Sequence, residues 1–379
     1  MSKTRVEIDG ERFLISGKPT YEGREWRGTS IEGLLMNSRM VQATFDDENP
    51  LTQGMWRYPD TGAWDADRNT DEFVAMVPEY RRHGLLAVTL NLQGGCPTGY
   101  FRTDRLDEIL SRLPWEVQTL VKQQMHGRLA SVQPWHNSAF DNEGRLKEPY
   151  LKRLKRVLDA LDEQGMVAIL GLYYFGQDER LMDKWSVRRG VEQAVTWVLE
   201  QDYQNVILEV NNETNVRKYE HEILQPEHVH ELIVQAKETT VNGRRLLVGT
   251  SYGGGRVPDE SVASVSDFLL LHGNGVKDPA RITEMVAQTR ALEGFRNAPK
   301  PILFNEDDHF DFDQPRNNMT AAVESYASWG YFDGGASSGG GVALGDYEHG
   351  YQLVPVNWGI NTPVKQGFFP LLQEITGGA

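Results

Sequence analysis

Short apolar runs alternate along this chain with stretches in which apolar residues recur at spacings of three and four. The first pattern predicts buried strands and the second amphipathic helices. Strands are expected over residues 34–41, 85–93, 166–175, 205–212, 245–251, 267–272, 301–306 and 328–333. Helices are expected near 70–83, 148–164, 186–201, 226–241, 278–294, 317–327 and 365–376, with the weakest pattern at 256–264. The stretch from Glu148 to Gln164 shows the logic. Leu151, Leu154, Leu158 and Leu161 make one apolar stripe among Lys, Arg and Asp. Gly165 then supplies a helix stop, and Met166-Val167-Ala168-Ile169-Leu170 opens the next strand. Repeated βα units of this kind predict a parallel sheet with right-handed crossovers. Eight of them close into a (β/α)8 TIM barrel. A doubly wound sheet is the competing α/β arrangement, but no glycine fingerprint follows the first strand.

Residues 5–20 alternate around Gly10 and Gly17-Lys18-Pro19 and predict a short N-terminal β-hairpin ahead of the barrel. No repeat, low-complexity tract or linker divides the rest, so 1–379 is expected to be one barrel domain. Two insertions, 42–69 and 94–147, follow strands and therefore lie over the carboxyl face, where barrel chemistry is placed. The first carries Trp56, Tyr58 and Trp64, the second Tyr100, Phe101, Trp115, Trp135 and His136. Such aromatics either line a ligand site or pin long loops to the barrel.

Charge narrows the partners. There are 39 Lys+Arg against 54 Asp+Glu, a net charge of −15, and such a surface repels nucleic-acid phosphates and anionic lipid. A neutral ligand is indifferent to it. Cys96 is the only cysteine, which rules out an intrachain disulfide and a thiolate metal cluster. Met1-Ser2-Lys3-Thr4-Arg5-Val6-Glu7 has no apolar leader core, and no later stretch holds about 18 consecutive apolar residues. The expectation is a soluble molecule, cytoplasmic by default and secreted if a leader has been removed. Oligomeric state is not readable.

Two strings carry the chemistry. Val206-Ile207-Leu208-Glu209-Val210-Asn211-Asn212-Glu213 and Pro301-Ile302-Leu303-Phe304-Asn305-Glu306 are both apolar runs that stop at an Asn-Glu pair. They fall on the fourth and seventh strands and so deliver two carboxyl groups across the barrel mouth. Paired carboxyl groups facing one another are what cleavage of a glycosidic bond requires: one donates a proton to the leaving oxygen, the other attacks or activates water. Glu209, within the fourth strand, is expected to be buried and paired.

With these strings the chain resembles the retaining glycoside hydrolases of clan A, such as the family 5 cellulases and mannanases. The resemblance implies Glu213 as acid/base, Glu306 as nucleophile, and Asn212 as a ligand of the hydroxyl beside the anomeric carbon. It extends over Phe13-Leu14-Ile15-Ser16-Gly17-Lys18-Pro19 and Gly165 to Phe175. It also implies a carbohydrate substrate and no metal or organic cofactor. A raised Glu213 pKa is expected beside the charge of Glu306.

This chain departs from the clan's pattern in places. Thr214 stands where the clan usually has proline. The second strand offers no arginine, so Arg39 on the first is the candidate partner of the nucleophile. His272, ending the sixth strand, stands where the clan places a ring against the nucleophile. Alternation puts Thr89, Asn91 and Gln93 on one face of the second strand, which makes Asn91 and Gln93 candidate substrate ligands. Tyr173 is preferred over Tyr174 as the inward-facing ring, and Trp329 is a candidate sugar platform. Trp135, His136 and Asp308 complete the candidate contacts.

Other motifs do not displace this reading. His228 and His230 fall two apart on a helix and share no face, so they cannot form a metal pair. Asp307 to Asp313 is acidic but lacks the calcium-loop spacing. Gly334 to Gly341 has no lysine to meet a phosphate and is expected to be a loop. Two other classes stay open: a barrel that binds carbohydrate without cleaving it, and a transglycosylase or lyase using the same pair.

Overall fold

The structure is a computed structural model, and it describes residues 2–98, 110–111, 114–115, 118–119, 133–216, 219–335 and 347–378. Its centre is a (β/α)8 barrel. The barrel strands are β1 (Asn37–Arg39), β2 (Ala87–Asn91), β3 (Val167–Tyr173), β4 (Val206–Asn211), β5 (Leu247–Gly249), β6 (Leu269–His272), β7 (Ile302–Glu306) and β8 (Gly330–Tyr331). All eight fall within the predicted runs, each shorter than its apolar pattern. Parallel ladders join β5, β4, β3, β2, β1 and β8 in that order, and a separate ladder joins β6 to β7. Two contacts close the ring. Leu303 and Asp307 bridge to Ser328 and Tyr331 between β7 and β8. Between β5 and β6, Val248 O accepts from the Asp267 N–H while the Asp267 carboxylate accepts from the Val248 N–H, both at 2.9 Å.

The surrounding helices are α1 (Ala66–Arg82), α2 (Glu148–Glu163), α3 (Lys184–Glu200), α4 (Val229–Glu238), α5 (Glu260–Val265), α6 (Pro279–Ala291), α7 (Asn318–Glu324) and α8 (Pro363–Thr376). The short α5 is where the periodicity was weakest. On α2 the buried stripe runs Tyr150, Leu154, Val157, Leu158 and Leu161, whereas Leu151 is only half-buried. The stripe is therefore turned slightly from the one leucines alone predict. Gly165 adopts φ 68°, the left-handed conformation of a helix stop. Among the described residues no helix is long and apolar enough to cross a membrane.

The barrel interior is layered. Its amino end is apolar: Leu35, Leu86, Val167, Ile169, Ile207, Phe268, Leu270 and Leu303 pack with Val6 and Phe13 of the hairpin. That hairpin pairs Val6–Asp9 with Arg12–Ile15 and plugs the barrel floor. Phe13 is fully buried, its ring 6.2 Å from Phe268, and burial of such a side chain contributes about 2–3 kcal/mol. Towards the carboxyl end the interior turns polar. One register row runs Asn91, Gly171, Glu209, Gly249. Gly171 is required there, because a Cβ would come within 2.3 Å of the Asn91 side-chain oxygen. Two polar side chains thus alternate with two glycines, leaving space for buried charge below the mouth.

Candidate active site

Glu306 ends β7, and strict alternation would turn it outward, since Leu303 and Asn305 already point into the barrel. A β-bulge reverses this. Leu271 pairs with Phe304, but His272 pairs with Glu306, so one extra residue of β7 is accommodated at Asn305. Bulges of this kind re-aim side chains beside active sites. Asn305 faces inward, its Nδ2 3.3 Å from Glu209 Oε2, and Glu306 is brought to the mouth.

Glu213 arrives differently. It lies just beyond β4 with φ 52°, a left-handed conformation rare for a residue with a side chain. The turn is held by neighbouring β5: the Glu213 N–H donates to Ser251 Oγ at 2.9 Å and the Thr214 N–H to Ser251 O at 3.0 Å. Thr214 Oγ1 also donates to Leu224 O. Proline at 214 could make neither Thr214 bond, so the departure from the clan's pattern is built into this loop.

Between the two carboxylates stands His272, fully buried. Its Nδ1 is 3.0 Å from Glu213 Oε1 and 3.6 Å from Glu306 Oε2. One ligand atom from each of the three residues lies within 4.8 Å of the others. Arg39 Nε is 2.8 Å from Glu306 Oε2, and Arg39 Nη1 lies 3.9 Å from the buried Glu209 carboxylate. Asn274 donates to Glu306 Oε1 at 2.6 Å. Burial pushes the Glu306 carboxyl above its ordinary range, against the lowering pull of Arg39 and His272. Burial works against an imidazolium at His272, yet Glu306 and Glu213 outweigh it and raise the ring's pKa.

Arg39, Glu213, His272 and Glu306 therefore converge, with Asn212 beside them. Asn212 is buried, and its Oδ1 has no hydrogen-bond partner among the described residues. Asn91 is also buried with both side-chain polar atoms unpartnered, in the layer beneath. Several other candidates are committed elsewhere. Tyr173 is corrected to an outward position: its hydroxyl donates to Val187 O on α3, and its ring lies 5.3 Å from Phe140. Tyr174 takes the inward place, close enough to Glu306, Arg39 and Glu213 for their charges to act on its hydroxyl. Trp329 is corrected likewise. Ser328 faces inward, so Trp329 turns out, donates to Asp307 Oδ2 at 3.0 Å and packs on Phe312 and Phe368.

The loop residues behave as anchors. Gln93 accepts from the Tyr174 N–H and approaches Ser138 and Gln177, so it spends its amide on holding loops. Trp135 is buried, donates to Gln133 at 2.6 Å and meets Trp56 edge-on. Trp56, Tyr58 and Trp64 sit in the same packed cluster. His136 is partly exposed beside Glu48, and burial holds its pKa down at about 4. Asp308 accepts from the Gly275 N–H and pairs with His309, whose pKa Asp307 and Asp308 together raise to about 10. Trp115 is exposed. Tyr100, Phe101 and most of the glycine-rich stretch 334–341 lie outside the described residues.

Among the described residues, metal-ligating atoms cluster in two places, Glu213–His272–Glu306 and Asp307–Asp308–His309. In the first, the Arg39 guanidinium already occupies the position beside Glu306 that a cation would take. In the second, Asp307 is engaged by Trp329 and Asn318. Sequence reasoning missed Asn274 and Ser251. Asn274 lies just beyond a predicted strand and Ser251 is the last residue of another, and Asn274 carries a signal in Gly273-Asn274-Gly275, a strand end followed by turn residues.

No protein-family model and no curated sequence matches this chain. Solved structures do. A glycoside hydrolase family 5 mannosidase from Rhizomucor miehei superposes with TM-score 0.51 at 12% identity, covering 99% of this chain and 97% of its own. A provisionally assigned glycoside hydrolase from Bacteroides vulgatus gives 0.50 at 13% identity, covering 87% of this chain. The aligned part spans 55% of that longer protein. The fold is one that glycoside hydrolases use. At these identities the likeness speaks for the barrel and leaves the chemistry to the residues.

Proposed function

We propose that this protein is a glycosidase that cleaves an O-glycosidic bond with retention, through a covalent glycosyl-enzyme. The observation that carries the reading is the approach of the Glu213 and Glu306 carboxylates, with oxygens within 4.8 Å across the barrel mouth. Carboxyl groups about 5–5.5 Å apart act as acid/base and nucleophile, whereas roughly 6.5–9.5 Å leaves room for the water of an inverting enzyme. Glu306 is the nucleophile in this reading. Arg39 lies against one of its oxygens and offsets part of the cost of burying its charge, and Asn274 donates to the other, which fixes the carboxylate for attack on the anomeric carbon. Glu213 is the acid/base. Asn212, with its unpartnered buried oxygen, binds the hydroxyl next to the anomeric carbon. The substrate is a carbohydrate, for which the acidic surface poses no barrier, and the chemistry as written needs no cofactor.

The test is hydrolysis of an aryl-glycoside panel by wild type, Glu213→Gln and Glu306→Gln, with azide added. Loss of about 10²–10⁴-fold is expected for Glu213→Gln on poor leaving groups, and at least as much for Glu306→Gln on all of them. Azide should restore both, giving glycosyl azides of opposite anomeric configuration. Wild-type activity untouched by either change would remove the two-glutamate reading.

A further inference from the structure

His272 is placed where a mechanism with two glutamates needs nothing, between them and bonded to the acid rather than only to the nucleophile. Resting on the glycosidase reading, we propose that the proton Glu213 delivers to the leaving oxygen is stored, in the free enzyme, on Nδ1 of His272. Three observations lead there. First, the charge balance of the buried cluster is uneven. Glu209 and Glu213 reach it from the β4 side and Glu306 from β7, against the guanidinium of Arg39 from β1; among the described residues the Tyr174 phenol from β3, the Tyr219 phenol beyond β4 and the Cys96 thiol beside Tyr174 are the other titratable groups around it. Three carboxylates facing one guanidinium favour a second cation in their midst.

Second, the geometry offers that proton two seats 3.0 Å apart, Glu213 Oε1 and His272 Nδ1. An imidazole binds a proton about two pH units more tightly than a carboxylate does. With Glu306 3.6 Å away on the same side, the nitrogen is the better seat. Third, nothing fixes the ring from behind. Nε2 is buried and has no hydrogen-bond partner among the described residues. A histidine is usually locked in one tautomer by a partner on its far nitrogen. Here the Nδ1 side alone decides its state.

The step balances. On substrate binding the Nδ1–H bond breaks and an O–H bond forms at Glu213 Oε1, leaving neutral imidazole protonated at Nε2. Glu306 then bonds to the anomeric carbon as the glycosidic C–O bond breaks, and the Glu213 proton leaves with the departing oxygen. In the second half, Glu213 takes a proton from the water that displaces Glu306, and that proton returns to Nδ1. His272 touches no substrate atom in this scheme. It is a positioning residue that acts through Glu213, and the alkaline limb of the pH–rate profile belongs to the pair rather than to the carboxyl alone.

His272→Asn tests this, because the asparagine amide keeps a donor near Nδ1 yet stores no proton. With phenyl and 2,4-dinitrophenyl glycosides of the sugar that the wild type cleaves, kcat/KM is measured against pH. The alkaline limb should fall by at least one pH unit. At neutral pH the phenyl substrate should lose about 100-fold, and the dinitrophenyl substrate, which needs no acid, less than about fivefold. An unmoved limb, or equal loss on both substrates, overturns the proposal. A structural role alone would give equal loss. Ring-15N NMR of the wild type gives a second, independent readout. The histidine whose resonance shifts in Glu213→Gln is His272, and near neutral pH it should be an imidazolium; a neutral ring overturns the proposal even if His272→Asn does not fold. Failure of the glycosidase reading looks different, as wild type silent on every glycoside.

Discussion

The ends of β4 and β7 carry the same dipeptide after the same kind of apolar run, and the structure treats them differently. At β4 the chain turns through a left-handed residue, Glu213 itself, and Asn212 keeps an unpartnered oxygen. At β7 a bulge does the turning, and Asn305 is drawn down onto Glu209. The first Asn-Glu pair leaves its asparagine oxygen uncommitted. The second uses its asparagine as a foundation. Identical sequence signals thus mark where a carboxylate is delivered, and the backbone device decides what its neighbour does.

Arg39 is the sharpest way to break the β7 arrangement. It lies beside both Glu306 and Glu209, whose side chains are 8% and 0% exposed. Arg39→Leu would strand two buried carboxylates, and removing one partner of a buried pair typically costs about 3–5 kcal/mol. The sign with pH follows. Without Arg39 the folded-state pKa of Glu306, already raised by burial, rises further above the unfolded value, so the loss is full well above that range. It shrinks as pH falls through the folded pKa of Glu306 and vanishes once that carboxyl is protonated in both folded variants. Urea unfolding at pH 7 and pH 4.5 measures it. A destabilisation equal at the two pH values would mean that Arg39 contributes packing rather than charge. On the function proposed above, activity should be lost as well, because Glu306 loses the cation beside it.

The two asparagines give a smaller and more pointed contrast. Asn305→Ala removes a donor from buried Glu209 and should cost about 1–3 kcal/mol of stability, with a parallel fall in activity on every substrate. Asn212→Ala removes no hydrogen bond that its side chain makes to another described residue, so stability should change by less than about 1 kcal/mol. On the proposed role its activity should nonetheless fall, by about 10–100-fold on ordinary glycosides, and the defect should disappear on 2-deoxy glycosides, which lack the hydroxyl assigned to it in that proposal. Equal behaviour of the two variants would erase the distinction drawn here.

The barrel was legible because its strands are buried on both faces and read as continuous apolar runs, and because Gly165 and its like punctuate the helices. Glu213, Glu306 and Arg39 were legible as positions at strand ends. Orientation was harder to read. A bulge at Asn305 and a positive φ at Glu213 have no signature in an apolar run, and each flips the alternation on which facing arguments depend. Trp329 shows the same difficulty on another strand: it follows the inward Ser328 and turns outward onto Asp307 and Phe312. The tryptophans of the long loops, weighed as platforms or anchors, are mostly anchors where they are described, because ring N–H groups buried there find loop partners such as Asp47 and Gln133.

The smallest expected effects separate Tyr173 from Tyr174, a pair that sequence cannot order. Their side chains should leave a strand on opposite faces, so one substitution applied to both asks which face is the site. Tyr173→Phe removes a buried hydroxyl and leaves Val187 O on α3 without that donor, so stability should drop by about 1 kcal/mol while kcat/KM stays unchanged. Tyr174→Phe removes a hydroxyl beside Arg39, Glu213 and Glu306. It should leave the unfolding midpoint nearly in place and lower kcat/KM a few-fold, through the field at the carboxylates rather than through packing. Thermal melts and steady-state kinetics on the same two variants decide it. If the loss of rate follows Tyr173 instead, the outward placement of that ring, and with it the register at the carboxyl end of β3, is wrong.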